Sequence, residues 1–271
     1  MKLGFNTNGL QNHRLDDALR LLAEHGYEHV ALTLDTMHLD PFRAGRAEID
    51  GVATLLRELS LSVSIETGAR YLLDPRHKHE PTLMTRDERA RGRRFEFYER
   101  AATIGATLGA RVLALWSGVD RNPGPDSWSW LCDGLREACA IVRRHGLEPA
   151  LEPEPGMAVA TFADFRCVVA TLGAQAPSLC LDVGHLHVLD EGEPAAIVAQ
   201  AGPFLAMVQL EDIRKGVHEH LPPGEGDVDF PAILGALQTT GYQGPVCFEL
   251  SRSSHRAPEV LATCRRVFLG R

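Results

Sequence analysis

The sequence predicts a single (β/α)8 barrel of the α/β class, one domain spanning residues 1–271. Three observations carry that reading. Eight short β-like runs alternate with longer amphipathic runs and fill the chain from end to end. The connections are short, so each crossover helix returns the chain to the same edge and the strands run parallel. No GxGxxG follows the first strand, which leaves the open doubly wound sheet without its dinucleotide-binding fingerprint. Eight such units are the number that closes a barrel, and barrels of about 250 residues commonly form one domain.

The elements follow in order. The first strand falls at residues 3–6, and Leu15, Leu19 and Leu22 form one apolar face of a helix at 15–25. Strand 29–34 leads to helix 48–59, where Leu55 and Leu59 repeat that spacing. Strand 62–66 is followed by a long connection, 67–85, before helix 86–108. Strands at 111–116 and 148–152 flank helix 130–145, and Thr161 stands where a helix at 162–172 needs its N-cap. Strand 179–182, helix 194–201, strand 206–210 and helix 229–239, capped by Asp229, continue the alternation. Strand 246–250 and helix 258–268 complete it. Gly26, Gly109, Gly146, Gly173, Gly202 and Gly241 each follow a helical run, where a left-handed residue ends the helix.

Composition narrows the classes. With 44% hydrophobic and 24% charged residues the chain is no disordered tract, and no run approaches about 18 consecutive apolar residues. The N-terminus reads directly into a strand, without the apolar centre of a signal peptide. The formal charge of −8 disfavours non-specific nucleic-acid binding. Six cysteines without a CxxC pair, several inside apolar runs, read as small buried hydrophobes of a reducing compartment. A cytoplasmic protein with neither a membrane nor a nucleic-acid partner is expected.

In such a barrel the chemistry gathers at the C-terminal ends of the strands. The polar residues there are Asn6, Asp35, Glu66, Glu152, Asp182, Gln209 and Glu249, with His185 three residues after Asp182. Carboxylates crowded into one mouth repel unless something positive joins them. A divalent cation satisfies them, and hard oxygen donors with an amide or imidazole suit Mn, Co, Mg or Zn. Taken singly, each residue also has a structural role open to it, such as capping a turn or satisfying loop amides.

The run Leu181-Asp182-Val183-Gly184-His185 resembles the aspartate-x-glycine-histidine motif of the xylose-isomerase-like TIM barrels. Pro223–Phe230, Gly241-Tyr242 and Gly244-Pro245 before Glu249 look like the last third of that superfamily. Its members include sugar and sugar-phosphate isomerases and epimerases, among them ketose 3-epimerases, as well as inosose dehydratases and endonuclease IV. The resemblance implies one divalent ion held by Glu152, Asp182, the residue at 209 and Glu249. Position 209, where the family pattern has histidine, is Gln209 in Val208-Gln209-Leu210-Glu211-Asp212. An amide oxygen ligates a hard cation more weakly than imidazole does, so affinity and metal preference are expected to differ. The resemblance also implies that His185 bonds a substrate oxygen, and that Arg214, beside Lys215, reaches the distal part of the substrate. His218 and His220 match a metal-binding pair of the endonuclease-IV-like members. Alternate residues of an extended segment point to opposite faces, so the two are not expected to bind one ion together, and His220 is the site candidate.

The expected activity is isomerisation or epimerisation of a sugar, sugar phosphate or cyclitol. Glu152 and Glu249 would move a proton on the two faces of a carbon beside a polarised carbonyl. Glu66 would contact a substrate hydroxyl or serve the structure. The connection 67–85, with Arg70, Tyr71, Arg76, His77, Lys78 and His79, reads as a binding loop for a polar or anionic substrate, or as a solvated basic loop. Trp116 and Trp128 flank the fourth loop and offer an apolar wall, whereas Trp130 reads as core. A dehydratase on the same scaffold and a metal-free metabolite-binding barrel are the alternatives. A nuclease is disfavoured by the absence of histidines at the third and fourth strand ends. The partner is a small sugar or polyol, and a homodimer is a further expectation.

Overall fold

The computed structural model describes residues 1–270 and shows a closed barrel of parallel strands in sequential order. The strands are β1 (Lys2–Asn6), β2 (His29–Thr33), β3 (Ser62–Glu66), β4 (Val112–Trp116), β5 (Glu148–Glu152), β6 (Ser178–Asp182), β7 (Leu205–Leu210) and β8 (Pro245–Phe248). Pairing of β1 with β8 closes the ring. The helices are α1 (Leu15–Glu24), α2 (Arg46–Glu58), α3 (Glu88–Leu108), α4 (Ser127–Arg144), α5 (Phe162–Leu172), α6 (Val183–Val188), α7 (Pro194–Ala201), α8 (Phe230–Thr239) and α9 (Ala257–Phe268). Among the described residues none is long and apolar enough to cross a membrane.

Local chemistry explains the boundaries. Thr161 and Asp164 form a reciprocal capping box at the start of α5, and Asp229 accepts from the Ala232 amide at 3.0 Å to open α8. Gly109 ends α3 at φ +77°, a conformation that costs a Cβ-bearing residue strain. Gly202 departs from expectation: its φ is −39°, and it opens a 3-10 turn. It is small because a Cβ would press against the Thr240 methyl at 2.9 Å. Helix α6 was not legible from periodicity, since its six residues begin directly at the end of β6.

Outward-facing strand residues pack beneath the helices, while the barrel interior is filled by small side chains. Ala31, Val112, Ala150, Cys180, Met207 and Cys247 form that inner cluster, and a Cβ on Gly4 would meet Cys247 Sγ at 2.5 Å. All six cysteines are free; five are buried, but Cys167 is exposed on α5.

The lower interior holds His29 between two serines, with Nδ1 2.9 Å from Ser62 Oγ and Nε2 3.0 Å from Ser64 Oγ. Burial, reinforced by the Lys2 charge, depresses its pKa to about 3. An unfolded chain protonates this residue below pH ~6.5 while the folded one does not, so acid favours unfolding. Stability should therefore fall by up to about 1.4 kcal/mol for each pH unit between ~6.5 and 3 through this group alone. Urea unfolding followed against pH should show a shallower fall for His29→Gln than for the native chain; parallel curves would refute the assignment.

Candidate active site

Strand register sets the site. Thr33 lies opposite Glu66, Trp116 opposite Glu152, and Asp182 opposite Gln209, so the strand ends present these side chains at neighbouring positions. Glu249 follows β8 by one residue and is fixed by its amide donating to the Leu210 carbonyl at 2.9 Å. The resulting mouth is lined by Asn6, Glu66, Glu152, His185, His220 and Glu249 from the expected set, together with Asn8, Thr33, Glu154, His218 and Ser251.

Donors tie the floor together. Asn6 Oδ1 accepts from the Asn8 amide (3.1 Å) and from Thr33 Oγ1 (2.7 Å), and its Nδ2 donates to Gln209 Oε1 (3.4 Å). Gln209 Nε2 in turn donates to Glu152 Oε2 (3.3 Å) and Glu66 Oε1 (3.5 Å). Trp116 Nε1 donates to the same Glu152 oxygen at 2.6 Å, and Asn8 Nδ2 donates to Glu249 Oε1 at 2.5 Å.

Asp182 is both the last residue of β6 and the N-cap of α6, accepting from the His185 amide at 3.2 Å. That cap turns the His185 ring inward, where Nδ1 donates to the Pro153 carbonyl at 2.9 Å. Its Nε2 stands 3.6 Å from Asp182 Oδ2 and 3.5 Å from Glu154 Oε2.

Electrostatics follow from six carboxyls in one place. Burial and then the charges of Glu249 and its neighbours raise Glu66 and Glu152 well above the carboxylate range. Burial lifts Glu154 and Glu249 to about 7. Asp182 is also buried, but the charge of the neighbouring His185 holds it low. Burial and neighbouring charges depress His79, His218 and His220 to about 4.

The donor set fits a divalent cation. Asp182 Oδ2, His185 Nε2 and both Glu211 oxygens are buried without a hydrogen-bond partner among the described residues. Donor atoms of Glu152, Asp182 and His185 lie within 4.8 Å of one another, as do those of Glu154, His185 and His218. Unpartnered buried oxygens beside an imidazole nitrogen are costly unless something positive joins them.

Several expected residues fall elsewhere. Asp35 is buried but turned away, its Oδ1 accepting from the Thr36 amide at 2.6 Å; Thr33 takes its place at the mouth. Arg214 is exposed and paired with Glu219 at 3.4 Å, outside the lining, and Lys215 pairs with Asp190. His218 lines the mouth together with His220, their rings 5.2 Å apart, so the opposite-face expectation fails. The segment is a looped excursion pinned where Asp212 bridges Leu221, and only an extended strand would send the two rings apart. Trp116 lines the mouth; Trp128 instead donates to Thr171, and Trp130 lies under the guanidinium of Arg91. Glu154, Glu211 and Asn8 were not expected as site residues. Glu154 could have been suspected from the Glu152-Pro153-Glu154-Pro155 run, where a second carboxylate follows a strand end.

The loop after β3 brings Arg70, Lys78 and His79 to the mouth. It is pinned from behind by the buried Arg94. That guanidinium donates to the carbonyls of Thr67 (3.1 Å), His79 (2.5 Å) and Pro81 (2.7 Å).

Fold and site together define a (β/α)8 barrel with a carboxylate- and histidine-lined mouth suited to a divalent ion. The chain belongs to the xylose isomerase-like TIM barrel family, whose profile matches residues 7–267. It is 25% identical over 255 residues to L-ribulose-5-phosphate 3-epimerase UlaE of Shigella flexneri serotype 5b (strain 8401), covering 92% of this chain and 87% of that protein. The protein of the same name from Salmonella paratyphi C (strain RKS4594) is 26% identical over 239 residues, covering 86% and 81%. Among solved structures, IOLI protein with a bound zinc atom superposes with a TM-score of 0.80 at 22% identity, over 100% of this chain and 97% of that one. A D-tagatose 3-epimerase-like protein superposes at 0.79 and 19% identity, over 100% and 99%.

Proposed function

We propose that the protein is a divalent-metal-dependent epimerase of a ketose or ketose phosphate, moving a proton at the carbon beside the carbonyl. The observation that carries this reading is the placement of Glu152 and Glu249 on one mouth, each with one oxygen tied by a donor. Trp116 and Gln209 occupy Glu152 Oε2, leaving Oε1 for the ion or the substrate; Asn8 occupies Glu249 Oε1, leaving Oε2 likewise. The relatives named as 3-epimerases support it.

Glu152, Asp182 and Glu249 would hold the ion, with Gln209 on the same floor. When bound, the ion would polarise the substrate carbonyl and acidify the adjacent C–H. One carboxylate takes that proton while the bonding pair passes into the carbonyl as an enediolate; the other returns a proton to the opposite face. Raised pKa values suit this work: burial lifts Glu249 to about 7 and shifts Glu152 in the same direction, toward a carboxyl that can hold and return a proton. Glu66 and His220 would bind hydroxyls from the floor and the rim. Arg70 and Lys78 at the rim favour a substrate with an anionic end, such as a sugar phosphate.

The test is incubation with ketopentoses, ketohexoses and their phosphates in D2O, followed by proton NMR. The expected result is a C3 epimer carrying deuterium at the inverted carbon. Loss of water with a new enone absorbance would mean a dehydratase instead, and no exchange across the panel would overturn the proposal.

A further inference from the structure

We infer that the nitrogen ligand of this metal centre is His185, on the first turn of α6, and that Gln209 is a floor donor outside the coordination sphere. The inference rests on the metal-dependent reading above.

A chain of hydrogen bonds fixes the Gln209 amide. The Asn8 backbone N–H can only donate, so Asn6 presents Oδ1 to it and turns Nδ2 toward Gln209. Gln209 must then present Oε1 to Asn6 and Nε2 to Glu152 and Glu66. An amide –NH2 has no lone pair to give a metal. Turning the amide over would set its oxygen against two carboxylates and its –NH2 against the Asn6 –NH2.

His185 is prepared in the opposite sense. The Pro153 carbonyl can only accept, so Nδ1 keeps its hydrogen and Nε2 is the nitrogen left to meet an ion. Holding one ring nitrogen on a carbonyl is how proteins orient a ligating imidazole. Nε2 is buried and without a hydrogen-bond partner among the described residues, as is Asp182 Oδ2, which stands 3.6 Å away. That separation is long for an N–H···O bond, which runs about 2.7–3.2 Å. It is close to the roughly 3.4 Å between two donors on one tetrahedral ion. Asp182 and His185 are three residues apart with Asp182 as cap, so the helix start itself makes the chelate. Glu152 completes a group whose donor atoms all lie within 4.8 Å.

The competing group, Glu154 with His185 and His218, shares the same nitrogen, and one lone pair serves one ion. Glu152 and Asp182 are fully buried, whereas the outer group is partly solvated, so the inner position is favoured.

Pulsed EPR of the Mn2+-loaded full chain tests this. Directly bound imidazole nitrogen should modulate the wild-type echo, and H185Q should lose that modulation while its Mn2+ dissociation constant rises at least about tenfold. H218Q and H220Q should keep the modulation. The double variant H185Q/Q209H, which puts an imidazole on β7, should regain it. Modulation that persists in H185Q, or that vanishes in H218Q, overturns the inference and leaves the epimerase reading standing. So does bound Mn2+ with no nitrogen modulation in the wild type. If H185Q does not fold by circular dichroism, retention in H79Q, H218Q and H220Q alike supports His185 by elimination among the histidines of the mouth. A wild-type chain that binds no Mn2+ at all overturns both readings.

Discussion

Glu249→Gln is expected to slow C3 proton exchange by about 10²–10⁴-fold, the usual worth of a positioned acid or base. Two losses combine in this one change. The amide can neither take nor return a proton, and it offers the ion a neutral oxygen where a carboxylate stood. Asn8 sits 2.5 Å from Glu249 Oε1, and the substituted amide can still accept through its oxygen, so the fold should survive. Exchange into D2O, followed by NMR with elemental analysis of the same sample, separates the two losses. A variant with its ion retained and its exchange unchanged would remove Glu249 from the chemistry. Glu152→Gln should be as damaging, because Trp116 and Gln209 fix that side chain for one purpose.

Chelation should abolish turnover altogether and lower the thermal midpoint. The purified chain is expected to carry about one Mn, Co, Mg or Zn. Removing it leaves Glu66, Glu152, Asp182 and Glu249 on one floor with their mutual repulsion uncompensated. An ion at a hundred times its dissociation constant stabilises the folded state by about 2.7 kcal/mol, which differential scanning calorimetry resolves readily. Add-back of each metal in turn should restore activity and midpoint together. Two or three zinc ions per chain would favour a nuclease-like cluster. A chain that never retains an ion would favour a metabolite-binding barrel.

The barrel and the strand-end residues were legible because both rest on short-range rules. Strand alternation carries Glu66, Glu152, Asp182 and Gln209 to one rim once the strand ends are located, and helix caps such as Thr161 and Asp229 mark the intervals. What escaped lies beyond strand ends, where loop shape decides. Asp35 is only two residues past β2, yet it satisfies its own turn. Arg214 and His218 occupy one excursion, and the bridge between Asp212 and Leu221 sends the first outward and the second inward. Glu211 is fully buried beside Asp182 because Gly184 has no Cβ to fill that space, a fit between two elements that no local pattern reveals.

Arg94 gives the entrance its character. Swinging the loop that carries Arg70, Lys78 and His79 would strip a buried guanidinium of carbonyls at 67, 79 and 81, at a cost of several kcal/mol. That side of the doorway is therefore a standing aperture rather than a hinged one. A substrate would have to fit that side on arrival, because the loop there does not close over it as a flap.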